Sequence, residues 1–161
     1  MTTEDSEKIT ADDRLAITDL LIRYARACDD KDWDLLGAVF TADCVARYRT
    51  VHLQSLPAVK HHLWSVLGGC GNTQHLIGNV AVSRNERGVA VRSNVRGWHV
   101  GAGAYEGSSY EGIGYYDDVV VRTGDGWRIA ERTFVLVADN GDRSVLQPGP
   151  EPAPDYESRR A

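Results

Sequence analysis

Two hydrophobic periodicities divide the chain into a helical first part and a strand-rich second part. Up to Gly69, apolar side chains recur at intervals of three and four, which is the spacing of a buried helix face. After that the period falls to two, which is the spacing of a strand. The predicted helices span 10–29, 32–40 and 55–67, and the predicted strands span 44–48, 73–82, 88–100, 110–122 and 126–138.

The ends of the predicted helices carry sequence signals. Thr10 can cap the first helix, and Asp12 and Asp13 in its first turn suit the positive end of the helix dipole. Asp29 follows at the last turn, close to the buried face of the same helix. Pro57 favours the first turn of the third helix.

Helices followed by a run of strands with tight turns indicate an α+β fold. We expect a cone-shaped α+β barrel, in which a strongly curved, mostly antiparallel sheet wraps around three N-terminal helices. Such packing leaves a concave, mostly apolar pocket, the usual form of a small-molecule site. The expected organisation is a flexible arm at 1–9, one domain at 10–140 and a Pro-rich C-terminal tail at 141–161.

The composition favours a small molecule as the partner. The net charge is −5 and basic residues are scattered, so no nucleic-acid or anionic-membrane surface is expected. No apolar run approaches the roughly 20 residues of a membrane span, and the first residues lack the regions of a signal peptide. Three cysteines without CxxC spacing favour a reduced, cytoplasmic environment over a disulfide framework or a zinc site.

Sequence motifs for nucleotides, metals and nucleophiles are missing. The chain has no GxSxG, P-loop or HExxH motif, and no GxGxxG after a first strand. His52, His61 and His62 have no partners at metal-ligand spacing, and we interpret them as surface or packing residues. We therefore expect no cofactor and no metal, which leaves acid–base chemistry on a bound small molecule.

Strand alternation places two histidines on one predicted pocket wall. If His75 points inward, Asn79 shares its face, while Leu76 and Val80 face outward. On the next strand, His99 lies on the more apolar face, which is the inner one. Both histidines could instead be ordinary core or edge residues, and the pattern alone leaves this open.

Asp29 ends the first helix near its buried face, so its carboxylate could meet these histidines. It could also be a solvated acid, or cap the next helix beside Asp30 and Asp32. Tyr48 is an aromatic residue of a predicted strand, and Arg132 is a weaker candidate for a side chain that points into the pocket.

Three segments carry a resemblance to a known family. They are Asp-Asp-Lys-Asp-Trp-Asp at 29–34, Thr-Gln-His-Leu-Ile-Gly at 73–78 and Asp-Gly-Trp-Arg-Ile-Ala at 125–130. At these residues the chain resembles the SnoaL-like branch of the nuclear transport factor 2-like superfamily, and within it scytalone dehydratase-type proteins most of all. The similarity runs from about residue 13 to residue 137, and the third segment marks the final hairpin without carrying chemistry.

The resemblance implies that Asp29 and His75 are a catalytic pair. It also implies that His99 is the second histidine of the site, and that Tyr48 helps to hold the substrate carbonyl through water. One position differs from the dehydratase pattern. Cys28 stands where the dehydratases carry a second carbonyl-holding tyrosine, and a thiol is too weak a hydrogen-bond donor to replace a phenol there. The candidate substrate contacts are Tyr24, Cys28, Asn79 and Arg132.

The expected function is a cofactor-free lyase or isomerase that removes a proton α to a carbonyl of a cyclic ketone or polyketide-like molecule. A polyketide ring-closing cyclase of the aldol type would need the same groups. The alternative of another class is a non-catalytic ligand-binding module or a dioxygenase small-subunit-like module. An apolar outer sheet face favours self-association, so a homodimer or homotrimer is expected.

Overall fold

Two α-helices and six β-strands make up residues 8–154, the part of the chain that the computed structural model describes. The helices are α1 (Ala11–Asp29) and α2 (Leu56–Leu67). The strands are β1 (Phe40–Tyr48), β2 (Val51–Gln54), β3 (Thr73–Asn85), β4 (Gly88–Val100), β5 (Ser109–Thr123) and β6 (Gly126–Gly141). Short 3₁₀ turns lie at Asp34–Ala38, Gly103–Tyr105 and Arg143–Val145.

The strands form one mixed sheet in the order β2-β1-β6-β5-β4-β3. Neighbouring strands are antiparallel except β1 and β6, which run parallel. Helix α1 contacts β3 and β6, and α2 contacts β1 and β2. The buried side chains of both helices join one hydrophobic core with the inner face of the sheet, so the predicted α+β class is confirmed.

The prediction of three N-terminal helices is wrong, because the segment 32–40 forms no α-helix. Asp32 does accept a hydrogen bond from the Leu35 N–H at 3.1 Å, but only the five-residue 3₁₀ turn follows. The chain then enters β1 at Phe40, next to the Val39 carbonyl, which accepts a bond from the Ile129 N–H of β6 at 2.8 Å. Pairing with β6 thus takes the backbone groups that a longer helix would have used.

The start of α1 agrees with its predicted cap. Thr10 Oγ1 accepts a bond from the Asp13 N–H at 3.1 Å, and Asp13 Oδ2 accepts one from the Thr10 N–H at 3.0 Å. Asp13 also accepts bonds from Arg122 and, at 3.4 Å, from Trp127 Nε1. The start of the helix is therefore tied to β5 and β6, and the helix ends nineteen residues long at Asp29.

A β-bulge in β3 reverses which side chains face the core. The pairing with β4 shifts between Gly78 and Ala81, and Asn79 has a φ of 50°. Within the bulge, Asn79 is exposed and Val80 packs against the core. The predictions that Asn79 shares the face of His75 and that Val80 points outward are therefore wrong. Leu76, which precedes the bulge, is 58% exposed, as predicted.

Residues 146–150 lie across the C-terminal end of α2. Trp64 Nε1 donates to the Pro150 carbonyl at 3.2 Å, and the Trp64 carbonyl accepts a bond from the Gly149 N–H at 3.1 Å. The Gly69 N–H donates to the Gln147 carbonyl at 2.8 Å. This part of the predicted tail is thus packed on the domain, and its last residues, 155–161, lie outside the described part.

Of the predicted N-terminal arm, residues 1–7 also lie outside the described part of the chain. Within residues 8–154, neither helix has the length and apolar character needed to cross a membrane.

Candidate active site

The carboxylate of Asp29 and the imidazole of His75 form a hydrogen-bonded pair where α1 ends beside β3. Asp29 Oδ1 lies 2.6 Å from His75 Nδ1, and Asp29 Oδ2 accepts a bond from the His75 backbone N–H at 2.9 Å. Thr73 Oγ1 donates a third bond to Asp29 Oδ1 at 3.0 Å. All three bonds come from β3, so this strand fixes the orientation of the carboxylate.

The charge of Asp29 sets the tautomer of His75. Because an ionised carboxylate only accepts, Nδ1 carries the proton and Nε2 is the basic nitrogen. Burial alone would raise the pKa of Asp29, but the bonds from His75 and Thr73 outweigh it and hold that pKa below its usual value. The His75 side chain is 8% exposed and lines a cavity. An ionised, oriented partner stabilises the imidazolium that forms when Nε2 accepts a proton.

A second histidine, His99 on β4, packs against the first. The ring centroids of His75 and His99 lie 5.3 Å apart, with the planes at 82°. His99 Nδ1 lies 3.1 Å from the Tyr110 carbonyl oxygen, so Nδ1 carries its proton. The buried Nε2 of His99 has no hydrogen-bond partner among residues 8–154. Burial and the nearby His75 lower the pKa of His99 to about 4, so at neutral pH the ring is neutral and Nε2 is an acceptor.

Gly97 provides the space that the two histidine rings occupy. It pairs with His75 across β3 and β4. A Cβ at this position would lie 3.2 Å from His75 Nε2 and 3.1 Å from His99 Cε1, closer than an ordinary van der Waals contact. Sequence reasoning missed this residue, although a glycine inside a strand often marks a close approach.

Two phenols, Tyr24 from α1 and Tyr48 from β1, form a second polar group in the same cavity. Their hydroxyl oxygens lie 3.1 Å apart. Burial raises the pKa of Tyr48 to about 12 and raises the pKa of Tyr24 well above its usual value. Both phenols therefore keep their protons at neutral pH. One proton lies in the bond between the two hydroxyls, and the other can be donated to a ligand oxygen.

Three predicted substrate contacts lie away from the cavity wall. Asn79 is exposed within the β3 bulge. Cys28 is fully buried one helical turn after Tyr24, and burial raises the pKa of its thiol to about 12. Arg132 is buried in an ion pair with Asp118, formed by hydrogen bonds of 2.8 and 2.7 Å. The positions of these three side chains do not support direct contact with a substrate.

The cavity between the helices and the sheet has a volume of about 410 Å³, within the usual range of small-molecule sites. Its wall contains the side chains of Tyr24, Tyr48, His75 and His99. Most of the remaining wall is apolar, with contributions from Leu63, Val66, Leu67, Val95, Phe134, Leu136 and Leu146. A few polar groups in an apolar cavity orient a ligand while excluding water.

His62 also lines the cavity, so its interpretation as a surface or packing residue missed a wall position. Its ring centroid lies 5.1 Å from that of Tyr48. Burial and the neighbouring His61 lower the pKa of His62. The available signal was helical spacing, since His62 follows Val59 by three residues and precedes Val66 by four.

Within residues 8–154, no three His, Cys, Asp or Glu side chains are grouped in a way that could hold a metal ion.

The fold and the Asp29–His75 pair define a small α+β protein with an apolar cavity suited to acid–base chemistry. Residues 10–133 match the SnoaL-like domain, and the chain belongs to this family. An uncharacterised protein from Mycobacterium tuberculosis is 36% identical to it over 122 residues, which cover 74% of this chain and 82% of that protein.

Solved structures share this fold. A proposed aromatic ring hydroxylase from Novosphingobium aromaticivorans has a TM-score of 0.76 and 28% identity, and the match covers 86% of this chain and 99% of that one. A proposed scytalone dehydratase from the same bacterium has a TM-score of 0.69 and 22% identity, covering 83% and 90%. A nuclear transport factor 2-like superfamily protein from Salmonella enterica has a TM-score of 0.69 and 14% identity, covering 78% and 91%. The predicted SnoaL-like family is therefore confirmed, and these structures show that the fold is shared.

Proposed function

We propose that the chain is a cofactor-free acid–base enzyme, a dehydratase or isomerase, that removes a proton α to a carbonyl of a cyclic or polyketide-like molecule. The observation that carries the proposal is the Asp29–His75 pair, whose imidazole lines an apolar cavity. An imidazole whose Nδ1 is held by a carboxylate can act as a general base through Nε2. The name of the proposed scytalone dehydratase with this fold is consistent with the reaction class.

In the proposed mechanism, His75 Nε2 takes the α-proton and Asp29 stabilises the imidazolium that forms. Asp29 needs no movement for this, because it already lies 2.6 Å from Nδ1. General acid–base catalysis typically contributes about 10²–10⁴-fold to a rate. Positioning of the substrate and stabilisation of the enolate must supply the rest.

The hydroxyls of Tyr24 and Tyr48 stabilise the enolate oxygen in this mechanism. Cys28 stands where the dehydratases carry a tyrosine, and Tyr24 lies one helical turn before it on the buried face of α1. The hydroxyl of Tyr24 reaches that of Tyr48 at 3.1 Å. We infer that Tyr24 supplies, from the preceding turn, the phenol that the thiol of Cys28 cannot replace.

His99 holds the substrate as a hydrogen-bond acceptor in this mechanism. A histidine that protonates a leaving hydroxyl must carry a proton on the nitrogen facing the substrate. Here that proton is on Nδ1, bonded to the Tyr110 carbonyl, and the pKa of about 4 keeps Nε2 unprotonated. The buried Nε2 therefore favours a substrate hydroxyl that donates to it. In a dehydration the leaving hydroxyl then takes its proton from the His75 imidazolium, so the proton removed from the α-carbon leaves as part of the water and His75 returns to its neutral form.

Product analysis on a panel of cyclic β-hydroxy ketones tests the proposed function. Mass spectrometry detects loss of water from a dehydratase reaction, whereas chromatography at unchanged mass detects an isomerisation. We expect one of these products with the wild-type protein and none with His75→Ala, whose fold is checked by circular dichroism. Full activity of His75→Ala would refute the assignment of His75 as the base. If wild type left every ketone unchanged, the result would instead support a purely ligand-binding protein.

A further inference from the structure

A buried arginine lies behind the phenol pair, outside the cavity wall. Arg132 on β6 is 1% exposed, and its Nε and Nη2 donate to the two carboxylate oxygens of Asp118 on β5 at 2.8 and 2.7 Å. Two parallel bonds of this kind require the carboxylate form, and a guanidinium remains charged in proteins. A complete ion pair is therefore buried beneath the site.

The Arg132 guanidinium also lies against the faces of aromatic rings. Its Cζ lies 4.1 Å from the ring centroid of Tyr24, 3.9 Å from that of Tyr116 and 5.6 Å from that of Phe40. These distances are within the range of cation–π attraction. Nη1 is buried and has no hydrogen-bond partner among residues 8–154. Asp118 thus accepts hydrogen bonds from one edge of the guanidinium, and the aromatic rings lie close enough to the cation to interact with its charge.

The field of Arg132 reaches both phenol hydroxyls. Burial raises the pKa of Tyr48 to about 12 and raises the pKa of Tyr24 well above its usual value, and the guanidinium opposes the rise at both phenols. A nearby cation makes a phenol a stronger donor and stabilises negative charge on the oxygen that it binds. One of the two hydroxyls donates its proton to the other. The proton of the second hydroxyl therefore stays available to a ligand.

We propose that Tyr24, Tyr48 and Arg132 form an oxyanion subsite that selects phenolates and enolates of planar ring systems over their neutral forms. The phenols contact the ligand oxygen, and Arg132 is a positioning residue that acts through them, because it does not line the cavity. The rings of Tyr116 and Phe134, with centroids 5.4 Å apart, line the same cavity and favour a flat ligand. The catalytic role of the subsite rests on the proposed function, but its ligand preference needs no turnover.

Binding of 2-naphthol, a planar phenol, tests the subsite. The measurements use the His75→Asn variant, so that the catalytic base cannot take the naphthol proton. Absorption spectra distinguish bound naphtholate from bound naphthol, and dissociation constants are measured across the pH range in which free naphthol ionises. We expect naphtholate to bind about tenfold or more tightly than naphthol. The neutral control, 2-methoxynaphthalene, should bind with the same affinity throughout that range.

Two further changes in the same background identify the source of the preference. The pair Arg132→Met and Asp118→Leu removes both charges with apolar side chains, and Tyr48→Phe removes one hydroxyl while keeping the ring. Each is expected to reduce the naphtholate preference to about threefold or less. Equal affinity of the His75→Asn variant for naphthol and naphtholate would overturn the subsite. A naphtholate preference that is unchanged in both the Arg132→Met/Asp118→Leu variant and the Tyr48→Phe variant would also overturn it. A protein that prefers naphtholate but removes no α-proton supports the subsite and refutes the proposed function.

Discussion

Protonation of His99 opposes folding, because the folded protein holds this ring where a positive charge is poorly solvated. The ring packs against His75 of β3 and bonds to the carbonyl of Tyr110 of β5. Lys31 adds an unfavourable charge and Asp29 a favourable one, but burial is the largest influence and lowers the pKa of His99 to about 4. Removing the histidine should therefore make the protein less sensitive to acid.

The magnitude follows from the difference between the two pKa values. The unfolded chain restores the ordinary value of about 6.5, so between pH 6.5 and pH 4 it binds a proton that the folded protein does not. The free energy of unfolding therefore decreases as the pH falls through this window. The His99 contribution amounts to about 2 kcal/mol between pH 8 and pH 5, and approaches about 3 kcal/mol at lower pH.

Urea unfolding of wild type and His99→Asn at pH 8, 6.5 and 5 measures this contribution. Asparagine is chosen because its side-chain amide can keep the hydrogen bond to the Tyr110 carbonyl. We expect the variant to lose about 2 kcal/mol less than wild type between pH 8 and pH 5. His52→Asn, which removes an exposed histidine on β2, is the matched control. Identical pH profiles for wild type and His99→Asn would refute the reasoning.

Three further predictions concern packing and capping. Gly97→Ala should lower proton abstraction about tenfold by displacing the histidine rings, while unfolding by urea stays cooperative; an unchanged rate would contradict the close approach. Thr10→Ala removes the cap of α1 and should cost about 1 kcal/mol in unfolding free energy, whereas no loss would mean that the capping bonds do not stabilise the helix. Arg132→Met alone leaves the buried Asp118 carboxylate without its partner and should lower the free energy of unfolding by about 3–5 kcal/mol. Adding Asp118→Leu should restore most of this loss in a double-mutant cycle. Strictly additive losses would count against the ion pair.

Periodicity was sufficient to predict the elements that carry Asp29 and His99. The spacing of three and four fixed the buried face of α1 and placed Asp29 at its end. The period of two in β4 placed His99 inward, and β4 has its predicted bounds, Gly88–Val100. These features are local, because side-chain direction within a regular helix or strand follows from the backbone period alone.

Features that depend on pairing between distant segments were not predictable in this way. The bulge that turns Asn79 outward is set by how β3 pairs with β4, and a period-two pattern carries no mark of an inserted residue. The helix expected at 32–40 gave way to β1 because Phe40 pairs with Ile129, nearly ninety residues later. Local propensity yields to tertiary contacts of this kind.

The sequence identified polar candidates in the site more easily than it identified their partners. Arg132 is buried on β6, as its prediction as an inward-pointing side chain suggested, but nothing local pairs it with Asp118 or places it behind Tyr24. The Asp29–His75 pair, by contrast, was expected from the family resemblance. The structure adds its geometry, with 2.6 Å between Asp29 Oδ1 and His75 Nδ1.

Hydrogen exchange at the α-carbon of 1-tetralone tests the central role of the Asp29–His75 pair most directly. In D₂O, proton abstraction by His75 replaces the α-hydrogens with deuterium, which proton NMR follows without knowledge of the natural substrate. We expect the wild-type protein to accelerate exchange and Asp29→Asn to lower that acceleration about 100-fold or more. Asp30→Asn, which changes the adjacent exposed acid, should retain it. Equal acceleration by wild type and Asp29→Asn, or none by wild type, would contradict the account.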